Sequence, residues 1–287
     1  MNERDWEILK TLYEKKNLTQ TAKALHVSQP ALTFRLQQIE DEFGIKVAHR
    51  GRRGVDFTAQ GEQLVLYAKE MLLQLRKTKE LLWNMEGSLR GILRLGVAGS
   101  FACYKLPAVL KQFNIQYPDI EFNVTTGWSA EMVSLLLKQD THVGIIRGDH
   151  NWADQKLLLM EEPLLIASKK EIQLDKLPYL PRIDYKTDPT LKDAIDSWWL
   201  ETYPQAPLIN MHVDKLETCK EFVLNGLGYA VFPSITLRNN EDLFTIKILS
   251  RDNVPVVRRT WLIYRKESLE ISIIKIFIDF LKNYSYK

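Results

Sequence analysis

The chain has 287 residues, of which 45% are hydrophobic and 26% charged, which allows two or three soluble domains with real cores. A net charge of +3 excludes a uniformly basic coat, so any nucleic-acid surface must be local. The two cysteines, Cys103 and Cys219, exclude a disulfide framework, and no run reaches the ~18 apolar residues of a membrane span. The N-terminus MNERDWEILK lacks a signal-peptide core, so a cytoplasmic setting with no membrane partner is expected.

Residues 4–15 read as a first helix with Trp6, Leu9, Leu12 and Tyr13 on its apolar side, ended by Asn17. Two short helices follow, Thr19–Leu25 and Ser28–Phe43. Ser28 is a good N-cap and Pro30 lies in the first turn, where its missing N–H costs nothing. Leu32, Leu36, Ile39 and Phe43 form one buried stripe, and Ala22 and Ala24 allow close crossing. Gln29, Thr33, Arg35, Gln37 and Gln38 can face outward. Short polar side chains at the start of an exposed second helix suit base edges in a major groove, although an ordinary helical pair shows the same pattern. His26 is expected to be a structural cap or solvated.

Residues 45–58, IKVAHRGRRGVDFT, read as a two-stranded segment turning at Gly51–Gly54, with Arg50, Arg52 and Arg53 clustered at the turn. Beside a helix-turn-helix, such a wing would sit over phosphates or a minor groove. The stretch Thr58–Met85 then predicts one helix of about 28 residues, roughly 42 Å long, and Gly61 does not stop it. Its stripe through Leu64, Tyr67, Ala68, Met71, Leu72, Leu75, Leu81 and Leu82 needs a cover. That cover is either the same helix of a second subunit or the chain folding back.

After a linker at Gly87, Ser88 and Gly91 the pattern changes to strands alternating with helices. Strands are predicted at 92–98, 120–127, 141–147, 162–169, 181–186, 209–211, 229–234, 243–248 and 260–266. Helices are predicted at 106–116, 130–138, 188–202, 215–225 and 268–284, and residues 98–104, AGSFACY, read as a loop. This spacing implies two α/β lobes with mostly parallel sheets and a cleft between them. Loops at strand carboxyl ends should converge there: Ser100 and Phe101, then Thr126, Gly127 and Trp128, then Arg147 and Gly148.

The chemistry of known enzyme motifs is not legible. AGSFACY lacks the glycines of a dinucleotide fingerprint and the P-loop lysine, and the five histidines have no zinc spacing. His142 is expected to be exposed at a strand start, and Cys103 has no histidine at a recognisable catalytic spacing. No enzyme activity, cofactor or metal is therefore expected.

Ala22, Ala24, Leu25, His26, Val27, Ser28, Gln29, Pro30, Ala31, Leu32 and Thr33, followed by Leu36, Ile39, Glu40, Phe43 and Gly44, then Arg50, then Phe57, Thr58 and Gly61, resemble the DNA-binding signature of the LysR-type transcriptional regulators. The linker helix, ILRLGVAGS and GLGYAVFPS also fall where that family has them. The resemblance implies a winged helix-turn-helix over 1–58, a dimerising linker helix over 59–88, and an effector-binding domain over 89–287. That domain would have two α/β subdomains like a periplasmic binding protein, 89–161 plus 267–287 and 162–266. The chain would cross between them near Glu161–Leu165 and Ile263–Lys266. Departures are Ala48, where the family usually has phenylalanine and Val47 could substitute as anchor, and His142, where aspartate is common.

The resemblance further implies double-stranded DNA and a small-molecule effector as partners, a homodimer pairing into a homotetramer, and RNA polymerase as an allowed contact. Ser28, Gln29, Pro30 and Thr33 would start the recognition helix, Arg35 would reach a base or phosphate, and Arg50, Arg52 and Arg53 would contact backbone or minor groove. The effector would meet Ser100, Phe101, Thr126, Gly127 and Trp128 on one side, and Ile183, Asp184, Phe232 and Pro233 on the other. Trp128 would be an aromatic wall or simple packing between lobes. Arg147 and Arg182 together would favour a small anion, unless they pair with Asp149 or Asp184. Two other readings remain open: a binding protein or enzyme with a structural N-terminal domain, and an effector-independent DNA binder.

Overall fold

The computed structural model describes residues 1–51, 54–85, 89–237 and 242–286. They fall into two compact units, Met1–Ser88 and Leu89–Lys287.

In the first unit, α1 (Glu3–Lys15), α2 (Leu18–Ala24) and α3 (Gln29–Phe43) precede a hairpin, β1 (Ala48–Gly51) with β2 (Gly54–Phe57), and the long α4 (Ala59–Met85). Their shared core holds Leu9, Leu12, Leu32, Leu36, Ile39, Val47 and Val65. Asn17 is the N-cap of α2, accepting from the Gln20 N–H at 3.0 Å, so it starts the second helix rather than ending the first. The turn after α2 has two backbone bonds, Val27 N–H to Ala22 O at 3.0 Å and His26 N–H to Lys23 O at 3.2 Å. With His26 at φ 54°, this is a Schellman motif, and Val27 packs against the core that holds Ala22. Ala24 is exposed, so only Ala22 serves the helix crossing. Phe43 is 44% exposed, because Gly44 turns the chain away one residue later.

Gly61 has a structural reason. A Cβ there would lie 1.9 Å from the Val47 carbonyl oxygen, so the first turn of α4 rests directly on the backbone leading into the wing. Thr58 Oγ1 accepts from Gly61 N–H at 2.9 Å and donates to Lys46 O at 2.5 Å, joining the same two segments. Val47 is fully buried and is the anchor expected in place of a larger residue at 48.

The second unit contains a nine-stranded sheet, among the described residues, in the order β4-β3-β5-β11-β6-β9-β7-β8 with β10 also on β6. The strands are β3 (Gly91–Ala98), β4 (Ile120–Gly127), β5 (Val143–Arg147), β6 (Gln155–Ser168), β7 (Arg182–Tyr185), β8 (Ile209–Val213), β9 (Tyr229–Pro233), β10 (Phe244–Lys247) and β11 (Val257–Tyr264). Helices α5 (Gly99–Tyr104), α6 (Leu106–Gln116), α7 (Ser129–Leu137), α8 (Pro189–Thr202), α9 (Leu216–Leu224) and α10 (Ser272–Asn283) cover it. The segment 98–104 is thus largely a short helix, not a loop.

Pairing is parallel within each lobe core, β4-β3-β5 and β9-β7-β8, but the joining strands β6 and β11 run antiparallel. The 14-residue β6 crosses between lobes: Gln155–Pro163 pair with β11, and Leu164–Ser168 pair with β9. The return crossing lies earlier than Ile263–Lys266, because β11 already pairs with β5 from Thr260 onward. The final helix returns to the first lobe, where Phe277 meets Phe113 edge-on at 5.0 Å. His142 is buried rather than exposed. Its Nδ1 accepts the Arg94 N–H at 3.2 Å, and its Nε2 meets the Arg94 guanidinium.

Candidate nucleic-acid interface and effector cleft

Ser28 caps α3 by accepting from Ala31 N–H at 3.3 Å, with Pro30 in the first turn. Gln29 and Pro30 are exposed beyond this cap, and Thr33 is half-buried one turn on. Thr19 Oγ1 donates to Gln29 Oε1 at 3.0 Å, which holds the exposed amide. Arg35 turns inward. Its Nε and Nη2 clamp the buried Asp5 carboxylate at 2.5 and 2.7 Å, and Nη1 donates to Gln38 at 2.6 Å. Position 35 flanks the buried stripe and faces α1, so its guanidinium is held by an acid of that helix. Burial would raise the Asp5 pKa, but the Arg35 pair holds its carboxyl below the usual range.

The residue that outward polarity did not reveal is Phe34. It is 64% exposed on α3, on the side away from Leu32, Leu36 and Ile39. An aromatic off the buried stripe was the available signal. The wing is present as the β1–β2 hairpin, with Arg50 opposite Val55, and Val55 N–H ties it to Lys16 O at 2.9 Å. Arg52, Arg53 and the side chain of Arg50 lie outside the described residues.

The second unit holds a cleft of roughly 300 Å³ where the two lobes meet. Ser100, Thr126, Gly127, Trp128, Arg147 and Pro233 line it, together with Lys186, Asp188, Leu191, Leu216 and Arg258. Phe101, Ile183 and Phe232 do not: they are buried in the lobe cores. Arg182 and Asp184 line a separate small pocket with Ile195 and Asp196. Arg182 sits at the opening residue of β7, far from the strand's carboxyl end, with its guanidinium over the Trp199 ring at 5.6 Å and 3.5 Å from Asp184.

Ser129 ties α7 to the end of β5: its Oγ donates to Arg147 O and accepts from Arg147 N–H, both at 3.0 Å. This places the Arg147 side chain at the cleft floor, where it is fully buried. It forms an ion pair with Glu162 and donates to Ser100 Oγ. Burial pushes the Arg147 pKa down, and the like charge of Arg258 pushes it further. Asp149 is engaged elsewhere, by Arg259 at 3.4 Å and by Trp261 Nε1 at 3.0 Å.

Contacts span the cleft. His150 Nε2 lies 3.6 Å from Asp188 Oδ2. Lys186 Nζ lies 5.4 Å from the centre of the Trp128 ring. Gly148, at φ +89°, approaches so closely that a Cβ would stand 2.0 Å from Thr190 Oγ1. Sequence reasoning missed Lys186, Asp188 and Arg258. The signal for Arg258 was alternation with Thr260 and Leu262, which puts all three on one face of β11.

Residues 4–62 match the bacterial regulatory helix-turn-helix family, lysR type, and residues 86–285 match the LysR substrate binding domain. The chain is 45% identical to the HTH-type transcriptional regulator YraN of Bacillus subtilis over 282 residues, covering 98% of each. It is 33% identical to YkuM of the same organism, covering 99% of this chain and 97% of YkuM. In fold it is similar to full-length CbnR complexed with its target DNA, with a TM-score of 0.71, 21% identity, and 98% and 99% of the two chains covered. It is also similar to a full-length OxyR variant from Pseudomonas aeruginosa, with a TM-score of 0.67, 19% identity, and 100% and 96% covered. With a recognition helix in one unit and a lined two-lobe cleft in the other, the chain belongs to the LysR family and is a DNA-binding transcriptional regulator with an effector-binding domain.

Proposed function

We propose that this regulator reads DNA sequence through the exposed start of α3 and answers to a small molecule held between its two α/β lobes. The observation that carries the DNA half is the Gln29–Pro30–Thr33–Phe34 surface, capped by Ser28 and backed by a buried core. Gln29 supplies an oriented amide for a purine edge, and Thr33 and Phe34 supply apolar contact to a thymine methyl. The wing arginines Arg50, Arg52 and Arg53 act on the phosphates.

Two copies join along α4, whose Leu66, Tyr67, Leu81 and Leu82 are exposed, so that two recognition helices address two half-sites. Pairs of dimers form the tetramer, and the protein works in the cytoplasm beside the chromosome. The cleft binds its ligand without turning it over. The Ser100 hydroxyl accepts from Arg147, a group that does not serve as a base.

Footprinting on the DNA flanking the protein's own gene, followed by titration of the protected site against random DNA, tests this. Gln29→Ala and Phe34→Ala are each expected to weaken the specific site by about 1–3 kcal/mol and leave random DNA nearly unchanged. Equal losses on both DNAs would reassign these residues to the phosphate backbone. No protected site at modest salt would remove the DNA-reading assignment.

A further inference from the structure

Arg258 is a buried cation that the fold does not neutralise by direct pairing. It is 8% exposed, and its Nε has no hydrogen-bond partner among the described residues. No ion pair to Arg258 forms among them either. Glu162 stands directly opposite it in the β6–β11 ladder, yet that carboxylate is engaged elsewhere. One oxygen pairs with Arg147, and the other accepts from Ile235 N–H at 2.5 Å and Ser234 Oγ at 3.4 Å. Asp188 makes no ion pair with Arg258 either: Oδ1 takes both the N–H and the hydroxyl of Thr190, at 3.0 and 2.7 Å, and Oδ2 lies 3.6 Å from His150 Nε2.

Two guanidiniums, Arg147 and Arg258, therefore share the cleft floor with two buried carboxylates, Glu162 and Asp188. Asp188 attracts Arg258 but forms no ion pair with it among the described residues, so the second guanidinium keeps no direct partner. Buried charges are ordinarily paired, because an unpaired one loses its hydration without replacement. Burial pushes the Arg258 pKa down, and the nearby Asp188 carboxylate only partly opposes it. The Ser100 hydroxyl adds a donor. Because its oxygen already accepts from Arg147, its proton is free to point into the cleft.

We infer that the cleft takes a small organic carboxylate, its carboxyl group seated on the Arg258 guanidinium and the Ser100 hydroxyl. The rest of the molecule lies against Leu191, Leu216 and Trp128, which give the cleft an apolar side. Lys186 stands over the Trp128 ring and, with Lys215, adds cations to a lining that also carries Asp188, Asp214 and Glu217. This inference rests on the cleft being the effector site.

The test uses the full-length protein with acetate, succinate and benzoate, each against its amide, and inorganic phosphate, read by calorimetry and by the shift in unfolding temperature. At least one acid is expected to bind roughly ten- to a hundredfold more tightly than its amide. Arg258→Met should abolish that preference, Arg258→Lys should keep part of it, and Arg182→Met should leave it intact. Arg258→Met is also expected to unfold at a higher temperature than wild type without ligand, since it replaces an unpaired buried charge.

Amides binding as well as acids, and losing binding when Thr126→Trp fills the cleft, would overturn the carboxylate class while the cleft stands. Acids that bind regardless of both Arg258→Met and Thr126→Trp would remove the cleft itself. Phosphate binding as tightly as any acid and requiring Arg258 would replace the carboxylate with an inorganic oxyanion. No binding by any of the acids would overturn the class outright.

Discussion

The guanidinium of Arg35 reaches across 30 residues of sequence to close on the buried carboxylate of Asp5. Asp5 also closes the capping box of α1, accepting the Asn2 N–H at 2.7 Å, so one acid orders a helix start and a helix crossing. Arg35→Met strands that acid and is expected to cost about 1.5–3 kcal/mol in denaturant unfolding. The sign of its pH dependence follows from the lowered Asp5 pKa. The pair's stabilisation is present above the ordinary carboxylate range and is lost as pH falls through the lower folded value. Comparing wild type with Arg35→Met across that acid window should show the difference shrinking towards zero. Arg35 looked like a DNA contact because helical spacing alone puts it off the buried stripe. Asp5 lies too far away in sequence for periodicity to reveal. Gln29 and Ser28 were legible because a cap and its neighbours are local chemistry.

At the scale of elements, the join between the wing and α4 depends on the absence of a side chain. Alanine is normally worth about 0.5–1 kcal/mol over glycine inside a helix. At position 61 the sign reverses, because the added methyl would stand 1.9 Å from the Val47 carbonyl oxygen. Gly61→Ala is expected to lower stability by about 1–3 kcal/mol, measured by thermal unfolding. Gly61→Ala losing nothing would show that the join can slide. Most elements could be read from periodicity, and 106–116 coincides with α6. The misses have local causes. GSFACY has no side-chain cap, so α5 looked like a loop. The N-terminal half of β6 was overlooked because Gln155–Met160 does not alternate cleanly, being only partly covered on both faces.

Across the whole effector-binding unit, two long antiparallel strands do what two separate sheets could not. β6 and β11 run from one lobe towards the other as neighbours, so lobe rotation must bend or twist this pair. Effector binding then shifts a population between arrangements, and it can do so only by its difference in affinity for them. The lobes and their order were legible as alternating elements. The return crossing was not, because Val257–Arg259 follow RDNVPV, a stretch that reads as a turn. That oversight also hid Arg258 and left Arg182 as its stand-in.

The close approach of Gly148 to Thr190 has a genetic consequence. The two residues belong to different lobes, and position 148 at φ +89° leaves a methyl group 2.0 Å from the opposing hydroxyl. Gly148→Ala is therefore expected to wedge the lobes apart. The resulting regulator should give the same output from a reporter promoter with and without a cleft ligand. Any glycine codon becomes an alanine codon by one base change. Selection for strains whose regulated genes no longer follow the metabolite should return that codon again and again, as independent alleles of a protein that still folds and still finds its operator.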